Sequence, residues 1–252
     1  MTRYEGVRWG LMGLDWIAHE PHRRVVSALV EEARAQPLVI GALLIGSLGR
    51  GNALPGSDVD LLILLADGGG KERLFANHER HGVLVEYHFR DVATARAQLE
   101  DEPGWCYAYL DSRILYDSTG RLAETVAFVR EWFAAYRAAP EEKRRYAFMV
   151  DRTGHKLRAA IDAGHALRAG GVASTYAAVI LDGLWVAHDH PRLGVSEMWS
   201  RLPDLPDLPE EQIGQLHGLF LGAALERARA GAALCAWIVE RLGGPVIDPY
   251  AL

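Results

Sequence analysis

The chain has 252 residues, half of them hydrophobic and 24% charged, the composition of a soluble globular protein with room for one large domain or two modest ones. A formal net charge of −6 argues against a nucleic-acid-binding or membrane-surface protein, since both need a basic face. Cys106 and Cys235 are too few for a zinc cluster or a disulfide framework, so both are expected as packing residues in a reducing compartment.

Residues 1–14 are rich in Gly, Trp and Arg without a clear period and read as a loosely attached lead-in, with Trp9 and Trp16 as packing residues. No secretory signal opens the chain and no 18-residue apolar run occurs, so a cytoplasmic protein without membrane contact is expected. Pro21 in a first helical turn, then Val25, Val26, Leu29, Val30 and Ala33, predict an amphipathic helix to about Gln36 that covers one face of a sheet. His19 and His22 read as surface imidazoles, because no third ligand accompanies them.

The stretch from Leu38 to Leu65 organises the rest. A strand at Val39–Ile45 ends in Gly46-Ser47, where a missing Cβ lets backbone N–H groups approach a phosphate and the hydroxyl can donate to its oxygen. Arg50, Gly51 and Asn52 follow in a polar turn, which keeps the guanidinium near the site as a partner of phosphate oxygens or of the aspartates. Ser57 then precedes Asp58-Val-Asp60 and the apolar run Leu61–Leu65. Side chains alternate along a strand, so Asp58 and Asp60 share a face, and two carboxylates so close need a cation between them. Hard oxygen ligands suit Mg²⁺, which usually completes its shell with substrate phosphates. No Gly-Lys-Ser/Thr follows the glycines, which excludes a Walker A loop, and their spacing excludes a Rossmann turn.

Asp67 to Gly70 predicts a flexible turn and Lys71–His81 a short charged helix or loop beside the pocket. Val83–Phe89 is the third predicted strand, with Leu84, Glu86 and His88 on one face. Beside the aspartates, Glu86 becomes a third carboxylate able to bind metal or accept a hydroxyl proton; the competing role is pairing with Arg80 or Arg90. His88 is expected at the pocket rim. Asp91–Glu100 predicts a helix capped by Asp91, and Arg113–Asp117 a last strand. From Thr119 the periodicity turns helical, so residues 1–118 are expected as an α+β domain and residues 119–252 as an all-α bundle, with the site in the cleft between them. Glu141–Leu167 predicts a helix whose Arg152, His155 and Lys156 form a basic face, with Lys156 the chosen phosphate ligand. Gly170-Gly171 is expected to end it, Ser174–His188 to form the next helix, and Asp207-x-x-Glu210 to cap a final helix to about Leu242. Asp182, Asp189 and Glu197 are the acids of this half expected to meet a cationic acceptor.

Gly46-Ser47, ten residues, then Asp58-x-Asp60 resembles the signature of the DNA-polymerase-beta-like nucleotidyltransferase superfamily, and GSLGRGNALPGSDVDLLILL is similar to its small-molecule branch, which holds the kanamycin and streptomycin/spectinomycin enzymes. The motif resemblance covers about residues 38 to 90. It implies transfer of a nucleoside monophosphate, most simply from ATP, to a hydroxyl of a small cationic molecule such as an aminoglycoside-type antibiotic, with one or two Mg²⁺ ions on Asp58, Asp60 and Glu86. Nucleotide contacts from Gly46, Ser47, Arg50, Ser57 and Lys156 complete the expected set. In kanamycin-like enzymes the base comes from a helix of the second half, which makes Asp151 the rival of Glu86. A monomer or homodimer is expected, with no nucleic-acid partner. The alternative is a regulatory protein of the antitoxin type that keeps the fold and acts on a protein partner.

Overall fold

In the computed structural model the described residues are 14–69 and 74–247. Most of the expected lead-in, with Trp9, and the part of the charged segment around Lys71 lie outside them. Strands β1 (Val39–Ile45), β2 (Val59–Leu65), β3 (Leu74–Arg80), β4 (Val83–Arg90) and β5 (Arg113–Asp117) form one mixed sheet in the order β3-β4-β2-β1-β5. Only β2 and β4 pair in parallel; the other neighbours are antiparallel.

Alternation along β2 and β4 gives the sheet two different faces. Val59, Leu61 and Ile63 of β2 and Val83 and Val85 of β4 pack with the apolar stripe of helix α1 (Glu20–Ala35), namely Val25, Val26, Leu29, Val30 and Ala33. Burying each such side chain stabilises by roughly 1.5–3 kcal/mol. The other face carries Asp60, Glu86 and His88, so α1 holds the sheet from behind. Trp16 packs at the edge of the same core.

A one-turn helix α2 (Gly46–Arg50) replaces the expected polar turn after β1 and closes on Gly51, in left-handed backbone at φ 83°. Lys71–His81 was expected as helix or loop, yet Leu74–Arg80 is edge strand β3. It is hairpinned to β4 through His81 and Gly82, both at positive φ (52° and 78°), the backbone of a two-residue type I′ turn. Helix α3 (Val92–Asp101) starts where Asp91 accepts a 2.8 Å hydrogen bond from the Thr94 N–H, as its capping role requires. A short helix α4 (Cys106–Leu110) leads into β5, and α5 (Arg121–Ala135) follows.

The chain divides into two compact units, Met1–Ala134 and Ala135–Leu252, the first α+β and the second helical. The second comprises α6 (Pro140–Asp162), α7 (Ala166–Ala187), α8 (Val195–Arg201), α9 (Glu210–Leu221) and α10 (Ala224–Arg241). Two expected boundaries move. The break after α6 falls at Gly164, with His165 capping α7 through its Nδ1, whereas Gly170 and Gly171 lie inside α7. Gly170 is a packing residue: a Cβ there would stand 3.2 Å from the Ala224 Cβ of α10. The long final helix is two helices, broken at Gly222-Ala223, and Asp207 sits in left-handed backbone rather than at a cap. Glu226 accepts from the Ala223 N–H and starts α10. Over an 18-residue window α7 has a mean hydropathy of 1.3, long and apolar enough by composition to cross a membrane, and half of that window is buried within the protein. A search for uninterrupted apolar runs misses it because Arg168 and Asp182 punctuate the helix. Cys106 and Cys235 are buried and form no disulfide, as packing residues should be.

Candidate active site

Asp58, Asp60 and Glu86 meet at the front of the sheet, each partly buried, with one carboxylate oxygen from each within 4.8 Å of the others. The strands explain the convergence. Asp60 and Glu86 are register partners in the parallel pair β2/β4, so their side chains rise side by side, and Asp58 precedes them by two residues on the same face. Arg80, one rival partner for Glu86, pairs instead with Glu32 of α1 and holds that carboxyl below its usual range. Arg90 donates Nε to Gln98 and Nη1 to the Phe89 carbonyl.

Gly46 is required by this geometry. It has φ +63°, and a Cβ at that position would overlap the Asp60 carboxylate. Ile45, the preceding residue, is the register partner of Asp60 on β1, so the backbone turns away immediately beside the carboxylate. Ser47 lies in the same turn with its Oγ enclosed and without a hydrogen-bond partner. A cluster of hard oxygen ligands, a cradle that only glycine leaves open and an unsatisfied hydroxyl beside it fit a divalent cation with an oxyanion.

The other expected residues occupy distinct places. Arg50 stands 3.8 Å from Asp111, and Arg113 donates Nε to the Gly49 carbonyl, so α2 is tied to the start of β5. Ser57 Oγ accepts from the Leu54 N–H and shapes the loop ahead of Asp58. On α6 of the second unit, Lys156 donates to the Tyr176 hydroxyl with its ammonium 4.1 Å from the ring centroid, and Asp151 lies 3.6 Å from His155 Nε2. Asp182 accepts from the Tyr146 hydroxyl and stands 3.7 Å from Arg192, while Asp189 pairs with Lys143. Asp182 and Asp189 thus serve a polar network within the helical unit.

The two histidines expected at the surface are a correction. His22 is fully buried, and its Nε2 lies 2.8 Å from the Ser57 carbonyl; His19 Nε2 lies 3.3 Å from the Ala53 carbonyl. A carbonyl only accepts, so each Nε2 carries the proton. The pair therefore pins the loop that delivers Asp58 to helix α1. Nothing local in the sequence announces this, because the partners are backbone groups 34 and 35 residues away. Asn77, the register partner of Glu86 on β3, was missed together with its strand. His88 lies on the triad's face two residues beyond Glu86; burial first and Arg90 second push its pKa down to about 4, so it is neutral at pH 7.

No curated protein matches the sequence. Among solved structures the chain is similar to a nucleotidyltransferase-like protein from Exiguobacterium sibiricum, with 13% identity over 86% of this chain and 74% of that one and a TM-score of 0.42. Residues 26–110, the span from α1 to α4 that carries the glycine-serine turn and all three carboxylates, match the family of the nucleotidyltransferase domain.

Proposed function

We propose that this protein is a metal-dependent nucleotidyltransferase that moves a nucleoside monophosphate from a triphosphate, ATP in the simplest case, to a hydroxyl of a small molecule. The observation that carries the reading is the convergence of Asp58, Asp60 and Glu86 to within 4.8 Å beside the Gly46-Ser47 turn. Asp58, Asp60 and Glu86 are the ligands for Mg²⁺, which when bound supplies positive charge against the carboxylates and the phosphate oxygens. Gly46 leaves room for a phosphate next to Asp60, and the Ser47 hydroxyl donates to a phosphate oxygen after rotating out of its enclosure. Glu86 accepts the proton of the acceptor hydroxyl. The acceptor oxygen then bonds to the α-phosphorus in line, and the bond from that phosphorus to the bridging oxygen breaks as pyrophosphate leaves. An aminoglycoside-type acceptor and a resistance role extend the same proposal. They rest on the family resemblance and on the net charge of −6.

The test is a thermal-shift panel of nucleoside triphosphates with Mg²⁺ on the wild type and on Asp60→Asn. A ligand at 100 times its Kd stabilises by about 2.7 kcal/mol, and the wild type should show a shift of this size with one triphosphate and Mg²⁺ together. Asp60→Asn should lose it while keeping the melting curve of the ligand-free protein. An equal shift in both proteins would end the metal reading.

A further inference from the structure

A cavity of about 450 Å³ opens within the first unit between helices α1 and α5, with edge strand β5 as its floor. It lies on the α1 side of the sheet, and none of its lining residues belongs to the proposed active site. The walls are apolar: Leu14 and Trp16 come from the short helical turn Leu14–Trp16, Val30 from α1, Ile114 and Leu115 from β5 and Val126 from α5. A bulge shapes the floor. Strand β5 has β1 as its one neighbour, and their register slips between Ala42 and Leu43, which leaves Leu115 without a register partner. Ile114 and Leu115, neighbours that a regular strand sends to opposite faces, both line the cavity as a result. A concave, mainly apolar space of this volume is the usual form of a small-molecule site.

Its rim is positive. Arg34, Arg113 and Arg130 stand there with a single acid, Glu31, in a chain whose net charge is −6. Glu31 lies 3.1 Å from Arg34 and balances it. Arg113 is fixed rather than neutralised: its guanidinium stands 4.2 Å from the Trp16 ring centroid, and its Nε donates to the Gly49 carbonyl. Among the described residues neither Arg113 nor Arg130 pairs with a carboxylate. Two unbalanced guanidinium groups at the mouth of an apolar cavity attract a negative charge, and their planar fork matches a carboxylate.

We propose that this cavity is a second ligand site, separate from the carboxylate triad, for an amphipathic monocarboxylate whose apolar body of one or two rings packs on Trp16, Ile114 and Val126 while its carboxylate meets the rim arginines. A neutral ligand of the same shape leaves the arginine charge unanswered, and an ammonium ligand is repelled by it. The site uses neither triphosphate nor metal, so it stands or falls independently of the transferase reading.

Ligand-observed NMR titrations on the full chain test this. The probes are 2-naphthoate, the neutral 2-naphthylmethanol with the same rings, and acetate, which carries the charge without them. Arg130→Gln removes one rim charge, Ala127→Trp sets an indole into the cavity from α5, and Asp60→Asn alters only the triad. The wild type should bind 2-naphthoate at least fivefold more tightly than the alcohol and at least twentyfold more tightly than acetate. Arg130→Gln should cut the preference for naphthoate over the alcohol at least threefold, and Ala127→Trp should weaken both ring probes at least tenfold. Asp60→Asn should bind 2-naphthoate as the wild type does. Equal affinity of the wild type for naphthoate and alcohol, or a preference that survives Arg130→Gln undiminished, would overturn the proposal. So would loss of naphthoate binding in Asp60→Asn, because the ligand would then sit at the triad. Arg130 is exposed and lines only the rim, so its variant should melt with the wild type and decides the matter even if Ala127→Trp does not fold.

Discussion

Glu86 and Asp60 stand side by side because β2 and β4 run parallel in register, so Glu86 is a metal ligand, the general base, or both. Replacing its carboxylate by the isosteric amide separates these roles. Glu86→Gln should keep most of the triphosphate-dependent thermal shift, because the Asp58–Asp60 pair beside the Gly46-Ser47 turn stays intact, yet lower turnover by about 10² to 10⁴ if Glu86 takes the proton. Asp151→Asn, on α6, should change turnover less than tenfold. Single-turnover pyrophosphate release on both variants decides between them, and the reverse ranking would reassign the base to Asp151. The triad is legible in the sequence because its logic is local: Asp58 and Asp60 are fixed by alternation, and Glu86 is conspicuous as an acid within an apolar strand. His22 is not legible, because a histidine that donates to a backbone carbonyl 35 residues away leaves no pattern in its own neighbourhood. The requirement for Gly46 is half legible. A turn glycine is expected there, but its exclusion of any Cβ depends on where Asp60 points.

At the scale of elements, what could be read from the chain follows burial. Helix α1 buries an apolar stripe, β1 and β2 are buried along nearly their whole length and β4 buries Val83 and Val85, so a helical period and apolar runs show in the sequence. Edge strand β3 does not, since Phe75 to Glu79 are all exposed and the segment reads as charged loop. The remaining signal was the His81-Gly82 turn, with histidine where asparagine is usual. Both residues sit at positive φ, which asparagine adopts more readily than histidine. His81→Asn should therefore stabilise the hairpin by about 0.5 kcal/mol, read as a rise in the urea midpoint with an unchanged slope. A fall in the midpoint would mean that the His81 side chain contributes more than its backbone conformation costs. In the helical unit the misplaced breaks have a related cause. Glycine inside α7 reads as a stop signal in sequence, whereas in the folded chain a Cβ at Gly170 would stand 3.2 Å from the Ala224 Cβ of α10 and one at Gly183 would press to 2.6 Å from Val150 Cγ2.

For the molecule as a whole, the balance of stability against pH turns on a group the proposed chemistry does not use. His188, at the end of α7, is only 5% exposed and lies beside Trp237 with ring centroids 5.8 Å apart. Burial first, then the positive charge of Arg241, pushes its pKa down from 6.5 to about 4. The native state therefore refuses at His188 a proton that the unfolded chain accepts, so this site takes up about one proton on unfolding between pH 6.5 and 4, in addition to that of His88 in the first unit. The sign follows. The contribution of His188 is complete above pH 6.5 and is lost as the pH falls toward 4, at about 1 to 2 kcal/mol between pH 7 and pH 5. Urea midpoints measured across this range should fall with acid in the wild type, and the fall should shrink in His188→Gln, which keeps a polar side chain of similar reach but cannot titrate. Parallel curves for the two proteins would show that the imidazole is solvated in the native state and that the fall with acid comes from other groups.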